Sequence, residues 1–245
     1  MNIRNQVVFL TGAAGGIGRE YIKALAARGA ARIYAADLAA SGAGLEQKFP
    51  SAPLVALDLD ITHEDAVARA AAECPETTLL INNAGVNLRS AFIAADSMDA
   101  ARREMDTNYF GTLAMCRAFA PVLRANGGGA IINMASILGK IANPALGSYC
   151  ASKAALLRLT EAIRAELAGQ RTHVMAVMPW AVDTPMSGPF PGSKSSPAEV
   201  ACAVLDALEK DEEDVTIHEM SEDINRRLAS DPKALEKTFA ALWKK

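Results

Sequence analysis

The chain reads as an α/β protein with a Rossmann-type, doubly wound and mainly parallel sheet and helices on both faces. Three observations predict this. Short aliphatic and β-branched runs alternate with helix-length segments along the whole chain. The first run leads into a glycine-rich turn, TGAAGGIG at 11–18, that opens a helical segment. Several runs are apolar throughout, as strands covered on both faces must be.

The elements follow in order. A first strand is expected over 6–11, then a helix through Tyr21, Leu25 and Ala26 that stops at Gly29. Residues 31–37 and 53–59 read as the second and third strands. Thr62 is placed as the N-cap of the next helix, with Glu64 and Asp65 near its positive end. Residues 78–82 form a fourth strand entering the turn Asn83-Ala84-Gly85, and 98–123 read as one long helix. Glycines 127–129 precede a strand over 130–134. A helix over 149–168 carries apolar Ala155, Leu156, Leu159, Ile163 and Leu167, and a strand over 174–178 stops at Pro179. The Pro/Gly/Ser-rich stretch 183–197 is the expected lid loop. A helix over 198–208, a short strand over 215–218 and a helical tail from Ser221, parted near Asp231-Pro232, complete the pattern. No repeat or linker divides it, so 1–245 is expected to be one domain, with 219–245 a C-terminal helical extension within it. The tail's Leu228, Leu235, Phe239, Leu242 and Trp243 are expected to cover a subunit edge or close a neighbouring pocket.

Composition narrows the function classes. The 245 residues are 51% hydrophobic and 22% charged, which suits a soluble globule and argues against disorder. With 25 basic and 28 acidic side chains the net charge is -3, so no nucleic-acid partner is expected. Neither a secretory signal nor a run long enough to span a bilayer is visible, so no membrane association is expected. Cys74, Cys116, Cys150 and Cys202 are scattered, as are His63, His173 and His218; no metal is expected, the thiols read as reduced, and the cytoplasm is the expected setting.

The glycine-rich turn suits a dinucleotide. Gly12, Gly15, Gly16 and Gly18, with Ile17 between them, let the backbone approach a pyrophosphate, and the following helix start offers unpaired N–H groups. Asp37 ends the second strand, where a carboxylate accepts both ribose hydroxyls and repels an added 2′-phosphate; Leu38 brings no compensating positive charge. NAD is therefore expected over NADP. Asp60, with Ile61 beside it, would meet the adenine, with Asp58 as the rival for that contact. No lysine and hydroxyl residue follow the turn as a nucleotide-hydrolase loop requires.

A second cluster suits proton transfer. Tyr149 and Lys153 are four residues apart at a helix start and share a face. A phenol ionises only near pH ~10, and a nearby ammonium would favour its phenolate. Ser136, after an apolar strand, would hydrogen-bond a substrate oxygen.

These motifs together resemble the classical short-chain dehydrogenase/reductase family over essentially the whole chain. TGxxxGxG matches Thr11, Gly12, Gly16 and Gly18; NNAG matches Asn82, Asn83, Ala84 and Gly85; the tetrad matches Asn108, Ser136, Tyr149 and Lys153, with YxxxK read as YCASK. The resemblance implies that Tyr149 is the general acid or base, that Ser136 stabilises the reacting oxygen and that Lys153 binds the nicotinamide ribose and lowers the tyrosine pKa. It implies that Asn108 holds a water in a proton relay, that Asn83, Ala84 and Gly85 line the cofactor and that Asn82 braces the strands. Pro179 to Thr184 resembles the family's segment beside the nicotinamide, with Val182 and Thr184 reaching the carboxamide; Trp180 stands where the family usually has glycine. The substrate pocket is then expected between Ser136 and the loop after Pro179, lined by Leu138, Asn143, Pro144, Tyr149, Trp180, Met186 and Phe190. That lining suits an uncharged secondary alcohol or its ketone, of aromatic or alicyclic character, and equally a lid packed closed without ligand; Lys140 and Lys194 keep a small acid open as the alternative substrate. A homotetramer is expected, with a dimer as the alternative. The competing readings are an NAD-binding regulatory protein without turnover and an epimerase or dehydratase using transient hydride transfer.

Overall fold

The computed structural model describes residues 1–38, 44–188 and 190–243; residue 189 of the expected lid and 244–245 of the tail lie outside them. Seven strands run parallel in the order β3-β2-β1-β4-β5-β6-β7. They are β1 (Val7–Thr11), β2 (Arg32–Asp37), β3 (Leu54–Asp58), β4 (Leu79–Asn82), β5 (Gly129–Met134), β6 (Thr172–Pro179) and β7 (Asp214–Ile217). The expected Rossmann-type sheet is what the chain forms.

Strand periodicity divides the core into two layers. Val8 and Leu10 face one side with Ile33, Ile81, Ile132 and Val177, against the helices α1 (Gly16–Ala27) and α7 (Pro197–Glu209). Phe9 faces the other side with Leu80, Ile131 and Val174. This layer packs on α3 (Glu64–Glu73), α5 (Thr112–Ala125) and α6 (Gly147–Leu167), preceded in the chain by the short helices α2 (Leu45–Lys48) and α4 (Asp99–Met105). Both faces of the sheet are covered by helices, which is why its central strands are mostly apolar, whereas β3 and β7 at the two edges are only partly buried. The C-terminal extension is two helices, α8 (Glu219–Ser230) and α9 (Pro232–Ala240), parted at Asp231, whose carboxylate caps α9 through the Ala234 N–H.

Three local expectations are corrected. Thr62 does not cap α3: His63 occupies the N-cap, and the Thr62 hydroxyl and N–H both donate to Asp60. The long helix expected over 98–123 is interrupted by a π-helical turn at Asp106–Gly111 between α4 and α5. The tail helix starts at Glu219 rather than Ser221, with His218 as its N-cap. Among the described residues no helix is long and apolar enough to cross a membrane.

Candidate active site

Strand order reverses between β1 and β4, and a cleft of about 1350 Å³ opens beyond the C-terminal ends of the strands there. It is larger than the ~300–1,000 Å³ of ordinary small-molecule pockets, so a dinucleotide and a second molecule fit together.

One half is a backbone cradle. Gly12 has φ +64, and a Cβ there would stand 2.8 Å from the Ala84 Cα; one at Gly16 would stand 2.7 Å from a Thr184 methyl. A side chain at Gly18 would strike the Gly12 carbonyl. Gly12, Gly15, Gly16 and Ile17 line the cleft, whereas Gly18 is buried behind them and lets helix and turn meet. The Asn83 side chain stitches this turn to the next one, donating to the carbonyls of Thr11 and Gly12 at 3.1 and 2.9 Å. The Thr11 hydroxyl accepts from the N–H groups of Asn83 and Ala84, both at 3.0 Å. Asn82 braces β4 against β5 through Asn133 at 2.9 Å. Asp37 lines the cleft and accepts from the Ala14 and Leu38 N–H groups, each at 2.8 Å. Asp60 and Ile61 line it too; Asp58, the rival, does not. A tight glycine turn with no room for side chains at Gly12, Gly16 or Gly18, lining the same cleft as a carboxylate held by two backbone N–H groups, fits a dinucleotide.

The other half gathers Ser136, Tyr149 and Lys153. Ser136 lies just beyond β5 and caps a short turn, its hydroxyl accepting from the Leu138 N–H at 3.2 Å. Tyr149 and Lys153 sit one turn apart at the start of α6. The Lys153 ammonium donates to the Met134 carbonyl at 2.7 Å, and burial pulls its pKa down to about 8. Burial pushes Tyr149 up to about 12; the Ser136 hydroxyl acts in the opposite direction, and Cys150 and Glu104 add smaller upward contributions. The phenol is therefore protonated at neutral pH in this state, because desolvation outweighs everything that favours the phenolate.

Asn108 is buried and does not line the cleft. Its amide donates to the Val86 carbonyl and the Ser152 hydroxyl, both at 2.9 Å, and its carbonyl accepts from the Val86 N–H at 2.8 Å. It sits in the π-helical turn, where its backbone carbonyl accepts from the Thr112 hydroxyl at 3.1 Å. The side chain is a clip joining the β4 loop to α6.

Pro179, Val182 and Thr184 line the cleft, as do Leu138, Asn143, Trp180, Met186 and Phe190. Pro144 does not; Ala145 and Leu146 take that stretch of wall, and the Asn143 side-chain Oδ1 caps their turn by accepting from the Ala145 N–H. Sequence reasoning missed Val86, Asn87 and Arg89, which continue from the NNAG turn into the cleft. Arg89 crosses it to donate to the Met186 carbonyl at 3.1 Å, tying the β4 loop to the segment after β6. Arg89 has a positive φ of 54, and no residue pattern announces its contact.

Comparison with known proteins agrees with this geometry. The family described as short chain dehydrogenase matches residues 6–193. The dehydrogenase/reductase SDR family member 7B of Bos taurus is 32% identical over 241 residues, covering 88% of this chain and 74% of the relative. Galactitol 2-dehydrogenase of Agrobacterium fabrum is 36% identical over 187 residues, covering 75% and 73%. A solved short chain dehydrogenase from Burkholderia cenocepacia, in complex with NADP, superposes with a TM-score of 0.89 at 44% identity over 98% of this chain and 99% of that one. With the cradle and the Ser136–Tyr149–Lys153 cluster in one cleft, the chain belongs to the short-chain dehydrogenase/reductase family of NAD(P)-binding oxidoreductases.

Proposed function

We propose that the protein is an NAD-dependent oxidoreductase interconverting a secondary alcohol and its ketone, the substrate being uncharged and aromatic or alicyclic. The observation that carries this reading is the convergence of Ser136, Tyr149 and Lys153 beside the glycine cradle in a single cleft. The nicotinamide, when bound, supplies or accepts the hydride. Tyr149 gives its phenolic proton to the substrate oxygen in reduction and takes it back in oxidation, while the Ser136 hydroxyl holds that oxygen. Lys153 contributes a positive charge behind the phenol and a donor toward the ribose. The cradle residues Gly12, Gly15, Gly16 and Ile17 bind the pyrophosphate, with Asp37 on the ribose and Asp60 and Ile61 at the adenine. Asn83, Ala84, Gly85, Pro179, Val182 and Thr184 complete the cofactor half. Leu138, Asn143, Trp180, Met186 and Phe190 enclose the substrate. We further propose a homotetramer in the cytoplasm.

Asp37 supports NAD, because its carboxylate is anchored by two backbone N–H groups and would repel a 2′-phosphate. NADP is the second reading, favoured by the NADP complex of the Burkholderia cenocepacia relative and by Arg19, which lines the same cleft. An absorbance screen of varied secondary alcohols with NAD and with NADP, and of the matching ketones with the reduced cofactors, tests both points. Reduction of NAD by ring-bearing secondary alcohols is expected, and Asp37→Ala should shift the preference toward NADP. Cofactor binding without hydride transfer across the panel would indicate a regulatory protein. Conversion of nucleotide-linked sugars without net NADH would indicate an epimerase or dehydratase.

A further inference from the structure

The aromatic wall of the substrate half is held from outside the cleft. Trp180 follows β6, and its N–H donates to the Ile217 carbonyl of β7 at 3.3 Å, so the sheet fixes its backbone. Its ring meets Phe190 at 5.6 Å between centres and 78° between planes, and meets Phe239 of α9 at 6.4 Å and 87°. Trp180 and Phe190 line the cleft; Phe239 does not. Phe239 belongs to an apolar cluster in which Ile224 and Leu235 of α8 and α9 pack with Ile137 and Ile141 from the segment after Ser136. Trp180 packs against that cluster from the cleft side. Two near-perpendicular ring contacts favour this orientation of the indole. The indole thus forms part of the wall of the cavity that Ser136 and Tyr149 also line, while among the described residues none of α8 or α9 lines it.

We propose that Trp180 is the specificity-determining wall of the pocket, selecting alcohols that carry a ring, and that Phe239 is a positioning residue that holds it. The C-terminal helices thereby govern substrate choice without touching substrate. The proposal rests on the alcohol-oxidising reading of the site, and its test separates the two.

Trp180 and Trp243 are the chain's two tryptophans, and Trp243 lies exposed after α9. In a Trp243→Phe background all indole emission comes from Trp180. With NAD bound, cyclohexanone should change that emission saturably, while acetone at equal concentration should not. In kinetics, the kcat/KM ratio of cyclohexanol over isopropanol should fall about tenfold in Trp180→Leu and about threefold in Phe239→Leu, the range that aromatic pair energies imply. The loss should appear in the KM for cyclohexanol with the KM for NAD unchanged, and Trp180→Phe should restore most of it. Emission that ignores cyclohexanone, or an unchanged ratio in Trp180→Leu, overturns the role of Trp180. A Phe239→Leu protein that melts earlier yet keeps the parental ratio overturns the positioning role. Should Phe239→Leu not fold, Phe239→Met replaces it under the same criterion. If the parent oxidises no alcohol, the alcohol-oxidising reading fails, and the emission response alone decides whether Trp180 faces a ring-bearing ligand.

Discussion

The Lys153 ammonium donates to the Met134 carbonyl at 2.7 Å and stands 5.8 Å from the centre of the Tyr149 ring. The lysine is thus anchored to the end of β5, and in the cofactor-free protein it does not lower the tyrosine pKa as expected, because burial dominates and pushes the phenol up. Burial of that ammonium makes the cofactor-free protein pH-sensitive in a defined window. Its pKa is about 8 folded against 10.5 for the free side chain, so between those values the unfolded chain binds a proton that the folded one lacks. Stability from this group is complete above the upper value and is lost as pH falls through the lower one. Tyr149, pushed up to about 12, titrates beyond that window. Relative to Lys153→Met, the parent should gain stability as pH rises from about 8 toward 10, by on the order of 3 kcal/mol at completion. Denaturant melts of both proteins at stepped pH measure it; a constant difference would show that the ammonium is solvated.

Tyr149→Phe removes the hydroxyl proposed to carry the proton to and from the substrate oxygen. It should lower kcat by about 10²–10⁴-fold while NADH affinity, read by fluorescence titration, stays parental. In the parent, burial keeps the phenol protonated well above neutrality. The kcat/KM for NAD, which reports the cofactor-free enzyme, should therefore keep climbing with pH in the oxidation direction. The kcat should level off earlier, because the positive nicotinamide favours the phenolate. Identical bends in the two profiles would place the titrating group elsewhere.

Much of this site was legible because its chemistry sits in short local patterns. The cradle follows β1 directly, and Tyr149 and Lys153 share one turn of α6, so spacing alone brings them together. Strand positions were legible for a different reason: the central strands, covered on both faces, are short and mostly apolar runs. The π-helical turn was not, because no residue pattern within 98–123 marks the extra residue per turn; the turn carries Asn108, whose side chain is tied to Val86 and Ser152. Thr62 has the residue type of an N-cap, but Asp60 two residues earlier captures its hydroxyl. Arg89 and Phe239 meet partners nearly a hundred and about sixty residues away, Met186 and Trp180; the sequence offered Phe239 as part of an apolar tail that could close a pocket, but no local pattern encodes which residue either one meets.

The cradle can be tested by adding one methyl group. Gly12→Ala would force a left-handed backbone on a side chain and set its Cβ 2.8 Å from the Ala84 Cα, a backbone atom of the NNAG turn that cannot step aside. A loss of about 2–4 kcal/mol in stability and of measurable cofactor binding is expected. Gly169→Ala, with nothing within 4 Å of its Cβ, is the control and should match the parent in both. Unimpaired NADH titration of Gly12→Ala would mean that the dinucleotide lies away from this turn.

Asn108 supplies the last test, because its clip and a proton relay predict different outcomes. Its side chain makes three hydrogen bonds, two to Val86 and one to Ser152, all between 2.8 and 2.9 Å. Asn108→Ala would strand the Val86 backbone groups beside a buried Ser152, with a cost of about 2–4 kcal/mol. Released, the β4 loop would no longer hold Gly85, whose added Cβ would lie 3.0 Å from the Asn108 carbonyl oxygen and 3.5 Å from the Lys153 ammonium. A clip therefore predicts a melting temperature lowered by roughly 5–10 °C together with weaker NADH binding and lower kcat. A relay residue predicts a lower kcat alone. Calorimetry and NADH titration of the one variant separate them: parental melting with collapsed turnover would take Asn108 out of the scaffold and into the proton path.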